Sequence, residues 1–229
     1  MVRNVLPQFL TKPKYNQPLF CGLTHIGQVF SIGWSEKVGK CSVYDFNPKT
    51  LNEFKKCKVT NEEPSLYKHL KKNLHKIVFC KNNKEIKNYK NVFLTIDTPL
   101  DINGNPKINI ITNEIKKLKK YLGYKANLII ISQVYCGFCE TLKIKYFRDR
   151  TDVNIIYFTD TLVMGDALNR FLNPDRIILG YEKKVSFLNI FKKFKCKIYH
   201  FSIKQAEMVK IAINLFLFNS VSYANMMDY

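Results

Sequence analysis

The clearest architectural signal in this chain is a short glycine-containing segment, Leu19-Phe20-Cys21-Gly22-Leu23-Thr24-His25-Ile26-Gly27. An apolar run leads into Gly22 and a helical pattern starts near Ile26, so the segment reads as strand, tight turn and helix. In a dinucleotide-binding turn, the first Gly permits tightness, the middle one admits the pyrophosphate and the third allows helix packing. Gly22 and Gly27 match the outer positions, and Thr24 stands at the middle one. We predict that Gly22, Thr24, His25, Ile26 and Gly27 contact a dinucleotide.

An acidic residue closes the next predicted strand. Asp45 follows Gly27 by eighteen residues and ends the apolar run Cys41–Asp45. A carboxylate at this place accepts hydrogen bonds from ribose hydroxyls and repels a 2′-phosphate, so it favours NAD over NADP. NAD is therefore the predicted cofactor. The same residues are also compatible with a purely structural strand–helix turn followed by a surface carboxylate.

Apolar runs and amphipathic, Lys-rich stretches alternate along the rest of the chain. Runs such as 128–131 and 177–179 are apolar on both faces, which is typical of parallel strands covered by helices on both sides. The predicted strands are Leu19–Gly22, Cys41–Asp45, Ile77–Cys80, Asn91–Ile96, Leu128–Ser132, Asn154–Phe158, Arg176–Gly180 and Lys197–Phe201. The predicted helices are Ile26–Val38, Pro48–Cys57, Ser65–Asn73, Ile108–Leu122, Phe138–Phe147, Gly165–Phe171, Val185–Phe194 and Ile203–Asn225. This order favours an α/β fold: a doubly wound, mostly parallel Rossmann-like sheet with helices on both faces and a long C-terminal helix.

The composition excludes several classes of protein. With 229 residues, 46% of them apolar, the chain can bury a core and is not globally disordered. Its 37 basic and 18 acidic residues give a net charge of +19, but the cations are scattered, so we expect a solvated surface and no nucleic-acid partner. No apolar run approaches the roughly 18 residues that cross a bilayer, so no membrane partner is expected. Residues 1–17 also lack the apolar stretch of a secretory signal.

The cysteines indicate a reducing compartment. Seven Cys, an odd number, are spread over residues 21–196, so we expect free thiols and a cytoplasmic location. Cys136 and Cys139 form a CxxC pair at a predicted strand-to-helix turn, where a helix N-terminus lowers a thiol pKa. Such a pair could exchange disulfides or bind zinc, but zinc needs four ligands and the four His are scattered. A coincidental pair is favoured, and no metal site is predicted.

Several further segments, in a consistent order, resemble one family. They are 44–48 (Tyr-Asp-Phe-Asn-Pro), 63–66 (Glu-Pro-Ser-Leu), 91–106 with its Thr-Pro-Leu loop, 168–180 with Asn-Pro-Asp-Arg, and 206–214 (Ala-Glu-Met-Val-Lys, then Asn). Together with the turn at 22–27 they resemble the nucleotide-sugar 6-dehydrogenases, the UDP-glucose/GDP-mannose dehydrogenase family. The likeness extends from about Leu19 to Asn225.

The resemblance implies an NAD-dependent oxidation of a sugar C6 alcohol to a carboxylate, most readily of a UDP-sugar. The second of its two hydride transfers passes through a thioester on a Cys. Lys210 and Asn214 match the Lys and Asn that hold water and the oxyanion at the reacting carbon, and their i, i+4 spacing puts both on one helical face. Asp160 matches a Glu of the substrate segment, and Thr98 opens the loop that contacts the coenzyme.

Some positions depart from the family. Gln133 stands where a Thr touches the nicotinamide side, and we retain it as a coenzyme contact. Met164 replaces a Glu and cannot act as an acid, a base or a comparable hydrogen-bond acceptor. The basic residue expected five positions after the ribose acid is Thr50, with Lys49 beside it as a substitute.

The family's catalytic Cys segment lies beyond the linking helix, and this chain ends at Tyr229. We expect an N-terminal extension at 1–16, an NAD-binding Rossmann-like domain at 17–201, and the start of the linking and dimerisation helix at 202–229. The chain alone is expected to be inactive or incomplete, forming a homodimer through this helix or joining a missing partner half. The alternative is a non-catalytic, nucleotide-binding or dimerising remnant of the family.

Overall fold

The computed structural model describes residues 14–60 and 62–228, so most of the predicted extension 1–16 lies outside the described residues. The strands are β1 (Leu19–Cys21), β2 (Cys41–Tyr44), β3 (Ile77–Phe79), β4 (Asn91–Leu94), β5 (Asn127–Ile130), β6 (Asn154–Thr159), β7 (Arg176–Tyr181) and β8 (Lys197–Phe201). The α-helices are α1 (His25–Lys37), α2 (Pro48–Lys55), α3 (Leu66–Asn73), α4 (Ile108–Lys119), α5 (Phe138–Tyr146), α6 (Ala167–Leu172) and α7 (Ile203–Met227). Three 3-10 helices lie at Leu74–Lys76, Asn83–Asn88 and Ser186–Phe194.

All the described strands belong to one sheet with the order β3-β2-β1-β4-β5-β6-β7-β8. From β3 to β6 every neighbouring pair is parallel, and the order 3-2-1-4-5-6 is that of a dinucleotide-binding fold. The predicted doubly wound, mostly parallel Rossmann-like sheet is therefore confirmed. The carboxyl ends of β1 and β4 lie side by side at the point where the strand order reverses, which is where such folds bind ligands.

One strand runs against this pattern. The apolar run of β7 predicts a parallel strand, as the other apolar runs do. In the structure β7 pairs antiparallel with β6 and parallel with β8. The intervening helix α6 has only six residues and spans about 9 Å. It turns the chain at the carboxyl edge instead of carrying it back across the sheet. The segment after β7 also differs, because Ser186–Phe194 is a 3-10 helix in place of the predicted α-helix.

Helices cover both faces of the sheet, as a parallel sheet requires. On one face, α4, α5 and the start of α7 pack against the strands. On the other, α1, α2, α3, α6 and the 3-10 helix at Ser186–Phe194 enclose an aromatic core around Trp34. These two cores fix the strand ends, and hence the loops that carry the polar residues.

A row of hydrogen-bonded asparagines fixes the register of the central strands at their amino ends, the edge of the sheet opposite the glycine turn. Asn127 Nδ2 donates to Asn91 Oδ1 at 2.7 Å, and Asn154 Nδ2 donates to Asn127 Oδ1 at 2.9 Å. These residues occupy paired positions on β4, β5 and β6. Because buried amides must be hydrogen-bonded, a shift of one residue in any of these strands would leave them unsatisfied.

The two ends of α7 have different environments. Ser202 and Gln205 form a capping box at its start, and Glu207 and Lys210 in its first turns are buried. From Leu215 onward the large apolar side chains are mostly exposed. No helix within the described part of the chain combines the length and apolarity needed to span a bilayer.

Candidate functional site

The turn after β1 has room only for glycine at its two key positions. Gly22 has φ +100°, and a Cβ there would lie 2.3 Å from Ile96 Cγ1. A Cβ on Gly27 would lie 1.9 Å from the carbonyl oxygen of Gly22, so α1 packs directly on the turn. This close approach leaves the start of α1 facing the switch point between β1 and β4, where a diphosphate can meet backbone N–H groups.

Thr24, which stands at the middle glycine position, does not fill the turn with its side chain. Its hydroxyl donates to the carbonyl of Thr95 at 3.2 Å and accepts from the backbone N–H of Asp97 at 2.9 Å. The side chain therefore joins the turn to the end of β4. For the same reason it does not cap α1, whose first turn has no acidic residue either.

The ribose acid predicted from sequence lies against this turn. Asp45 accepts hydrogen bonds from the backbone N–H groups of Leu23, at 2.8 Å, and Asn47, at 2.7 Å. Burial raises the pKa of the Asp45 carboxyl from its usual value, although both hydrogen bonds oppose the shift. Sequence spacing alone located this residue, because the acid follows the strand next to β1.

A cavity of about 370 Å³ opens beside Asp45. Its lining includes Gly22, Thr24, Asp45, Phe46, Thr50 and Lys117. The cavity joins the glycine turn to the predicted ribose acid and has an aromatic wall, so it fits the adenosine half of a dinucleotide. Lys49 is not among its lining residues; it lies in the first turn of α2, where its N–H donates to Asn47 Oδ1.

His25 takes part in a second polar cluster behind the turn. Its Nε2 lies 3.0 Å from Glu63 Oε1. The Glu63 carboxylate is buried and accepts from the backbone N–H groups of Gly165, at 2.7 Å, and Ala167, at 3.1 Å. Glu63 thus caps α6 and ties it to the start of α1. The sequence predicted His25 as a coenzyme contact, and its structural partner is this carboxylate.

Asp97 is a residue that sequence reasoning missed. Its Oδ2 accepts a hydrogen bond from the backbone N–H of Ile26 at 3.3 Å, so its carboxylate stands over the opening of α1. A signal was available, because Asp97 follows β4 and the carboxyl ends of β1 and β4 are adjacent. The pattern of a dinucleotide-binding turn contains no position after β4, so this pattern does not indicate Asp97.

The remaining predicted residues meet near the start of α7. Lys210 Nζ donates to the Asp160 carbonyl at 2.9 Å and lies 3.3 Å from Asp160 Oδ2, with both side chains largely buried. Asn214 Nδ2 donates to Gln133 Oε1 at 2.9 Å, and Thr98 Oγ1 donates to the Gln133 carbonyl at 2.6 Å. The structure therefore brings Lys210, Asn214 and Asp160 together and connects them through Gln133 to Thr98.

A second cavity, of about 270 Å³, opens onto this group. Its lining includes Thr161, Arg170, Arg176, Lys210, Asn214 and Leu217. The lining holds three cations and one carboxylate, Asp175, which lies 3.5 Å from Arg170, and Lys210 is paired with Asp160 outside the lining. The cations of the lining exceed its carboxylates by two, which favours an anionic ligand. Met164 is outside the lining and is 65% exposed. A larger cavity, of about 540 Å³, is bordered by Lys143, Arg148 and Glu182 and contains none of the predicted site residues.

Cys139, the second thiol of the CxxC pair, does not have the environment of a reactive thiol. Cys139 is buried, and burial, together with the nearby Glu207 carboxylate, raises its pKa well above the ordinary value. Glu207 accepts from the backbone N–H groups of Gly137, at 2.6 Å, and Cys139, at 2.8 Å. The described residues contain no group of three His, Cys, Asp or Glu suited to a metal ion. These contacts argue against the redox alternative.

Comparisons with known proteins agree with this geometry. The UDP-glucose/GDP-mannose dehydrogenase family, NAD binding domain, matches residues 19–200, so the chain belongs to this family. It is similar to the uncharacterised protein MJ1054 of Methanocaldococcus jannaschii, with 28% identity over 89% of this chain and 24% of that protein. It is also similar to the UDP-glucose 6-dehydrogenase YwqF of Bacillus subtilis, with 24% identity over 89% of this chain and 48% of that enzyme.

A solved structure shares the fold. The UDP-glucose dehydrogenase of Pyrobaculum islandicum matches with a TM-score of 0.83 and 22% identity, over 97% of this chain and 54% of that one. The chain therefore spans about half the length of this structure and of YwqF, and less of MJ1054. It carries the NAD-binding domain of the family, and NAD, which accepts hydride, is its coenzyme.

Proposed function

We propose that this chain provides the coenzyme-binding half, and part of the catalytic site, of an NAD-dependent nucleotide-sugar 6-dehydrogenase. In the complete enzyme a sugar C6 alcohol would be oxidised to a carboxylate, and a UDP-sugar is the substrate class we favour. The observation that carries the proposal is the convergence of Lys210, Asp160 and Asn214 beside a cationic cavity. The names of relatives such as the Bacillus subtilis UDP-glucose 6-dehydrogenase support the choice of substrate.

The proposed roles follow from the contacts. Gly22 and Gly27 admit the coenzyme to the start of α1, and Asp45 holds the adenosine ribose. Lys210 is kept close to the reacting carbon by the carbonyl and carboxylate of Asp160, and there its ammonium group can stabilise negative charge. Asn214 contributes an amide donor one helical turn away.

We propose the division of the chain given above, with an NAD-binding domain at 17–201 and a linking helix from 202. The exposed end of α7 supports an association surface. Its exposed side chains are Leu215, Phe216, Leu217, Phe218, Val221, Tyr223, Met226 and Met227. So large an apolar surface suits a homodimer or a partner half of the enzyme. The seven free thiols support a cytoplasmic location.

A second candidate function is a non-catalytic, nucleotide-binding or dimerising remnant of the family. Met164, in place of a carboxylate, supports this alternative, because a thioether cannot replace a Glu as an acid or base. The two candidates share the coenzyme site and differ in whether hydride transfer occurs.

Titration of the full chain with NAD, followed by addition of UDP-glucose, tests the proposal. We expect NAD to bind and Asp45→Ala to weaken it at least about tenfold, because the ribose loses a charged acceptor. Asp149→Asn, at an exposed site away from both cavities, is the control and should leave binding unchanged.

Formation of NADH in a single turnover with UDP-glucose, abolished by Lys210→Ala, would support the dehydrogenase. Because the chain is proposed to be half of an enzyme, the same assay is repeated with a separate polypeptide that carries the C-terminal half of a relative such as YwqF. NAD binding without NADH formation in both assays would support the remnant. Absence of NAD binding at millimolar concentration would contradict both candidates.

A further inference from the structure

The carboxylate of Asp97 lies where the coenzyme diphosphate has to arrive. Asp97 Oδ2 accepts from the Ile26 N–H, one of the first free amides of α1. The first N–H groups of a helix have no partner within the helix and form the usual anion-binding position of this fold. In the structure one of these amides is therefore already paired with an anion that belongs to the chain.

Asp97 is held in this position by its surroundings. Its backbone N–H donates to Thr24 Oγ1 at 2.9 Å, within the turn itself. Two residues earlier, Thr95 Oγ1 donates to the Gly22 carbonyl at 2.8 Å, and the Thr95 N–H donates to the Cys21 carbonyl. Three contacts thus hold the backbone of residues 95–97 against the end of β1 and the turn, so this backbone keeps the carboxylate close to the opening of α1.

We propose that Asp97 is an internal anion that competes with the diphosphate of NAD for the opening of α1, and so lowers the affinity of this chain for its coenzyme. The inference rests on the coenzyme site described above. It has two physical components: the Ile26 N–H cannot serve both acceptors fully, and a carboxylate close to a diphosphate repels it. The adenosine cavity contains Asp45 and Gly22 and does not include Asp97, so a ligand without phosphate should be indifferent to this carboxylate.

Three ligands and three variants separate these components. NAD and ADP-ribose carry the diphosphate, and adenosine does not. Asp97→Asn removes the charge and keeps an acceptor for Ile26, Asp97→Ala removes both, and Asp149→Asn removes one negative charge from an exposed position elsewhere. Dissociation constants are measured by calorimetry on the full chain in a buffer with EDTA, so that no divalent cation screens the carboxylate.

We expect Asp97→Asn to bind NAD and ADP-ribose about tenfold more tightly or better, as expected when a like charge is removed within a few ångströms. Asp97→Ala should bind at least as tightly, and adenosine affinity should stay within about twofold in every variant. Thermal melting of each variant verifies that it is folded.

The inference is overturned if NAD binds the native protein and both Asp97 variants equally, or if adenosine gains as much as NAD. If NAD and adenosine fail to bind any folded variant, the coenzyme site itself is wrong, which is a different result. An equal gain in Asp149→Asn would show a general effect of net charge and would likewise overturn the role of Asp97.

Discussion

The first backbone N–H groups of α1 and α5 are hydrogen-bonded in different ways. Both helices begin at the carboxyl edge of the sheet, neither has a side-chain cap of its own, and each receives a carboxylate from a distant part of the chain. At α5, Glu207 is fully buried and accepts from two amides at 2.6 and 2.8 Å. At α1, Asp97 is partly exposed and accepts from one amide at 3.3 Å.

The comparison separates a structural carboxylate from a carboxylate at a ligand site. Glu207 is fully buried where α5 and α7 meet, so its removal leaves two amides without an acceptor in an apolar core. Asp97 stands at an edge where solvent or a ligand can replace it. The start of α6 resembles that of α5, because the buried Glu63 carboxylate accepts from two backbone amides there. The start of a helix is therefore available to a ligand where the carboxylate that accepts from its N–H groups is exposed and accepts only one hydrogen bond from them.

The largest expected effect is on stability at the α5 opening. Glu207→Ala should lower the free energy of unfolding by about 3 kcal/mol, because two buried N–H groups lose their acceptor and a void remains. Urea denaturation measures the change. Glu207→Gln keeps one acceptor oxygen and should lose clearly less. A loss below about 1 kcal/mol for Glu207→Ala would mean that the buried carboxylate is not a structural cap.

The pH dependence of stability tests the same region. Burial and Glu207 raise the pKa of Cys139, so the native state keeps a proton that the unfolded chain releases near pH ~8.5. Stability is therefore complete below that pH and falls as the pH rises above it, by up to about 1.4 kcal/mol per pH unit for this thiol. Burial also raises the pKa of Cys80, to about 11, and those of Cys21 and Cys41, so the total decline is larger.

Substitution of Cys139 measures how much of this pH-dependent loss of stability is due to its thiol. Cys139→Ala should reduce the slope of unfolding free energy between pH 8.5 and 9.5 by about 1 kcal/mol per unit. Leu142→Ala, at a buried apolar residue of the same helix, removes no titratable group, so it is the control and should retain the native slope. Equal slopes in the native protein and Cys139→Ala would show that this thiol does titrate in the folded state.

Much of the fold was predictable because its signals are local. Apolar runs bounded by polar turns located all the strands of the described residues, and the spacing of Gly22, Gly27 and Asp45 identified the glycine turn and the carboxylate that lies against it. The direction of β7 was not predictable in the same way, since Ile177, Ile178 and Leu179 read alike in a parallel or an antiparallel pair. What reverses β7 is the shortness of α6, and the sequence pattern had suggested only that a helix lies there.

The carboxylates that organise the helix openings were not recognised for a related reason. Glu63, Asp97 and Glu207 each act on amides far away in sequence, so no spacing rule connects donor and acceptor. Glu63 and Glu207 lay within segments that resemble the family, but nothing local indicated what they bind. The same holds for Gln133, whose partners are Thr98 in the loop after β4 and Asn214 on α7. Asp45 was found because its distance from the turn is itself part of a known pattern.

The smallest expected effect is on stability at the α1 opening, where its sign should depend on the coenzyme. Without NAD, Asp97→Ala should lower the free energy of unfolding by about 1 kcal/mol, the usual value of a helix cap. With NAD in excess, a tenfold gain in affinity adds about 1.4 kcal/mol of stabilisation in the variant, which offsets the loss. Melting temperatures of the native protein and Asp97→Ala should therefore converge or cross as NAD is added, whereas those of Glu207→Ala should stay below the native values throughout. A constant difference for Asp97→Ala would place Asp97 with Glu207 as a structural cap, and the distinction between the two openings would be lost.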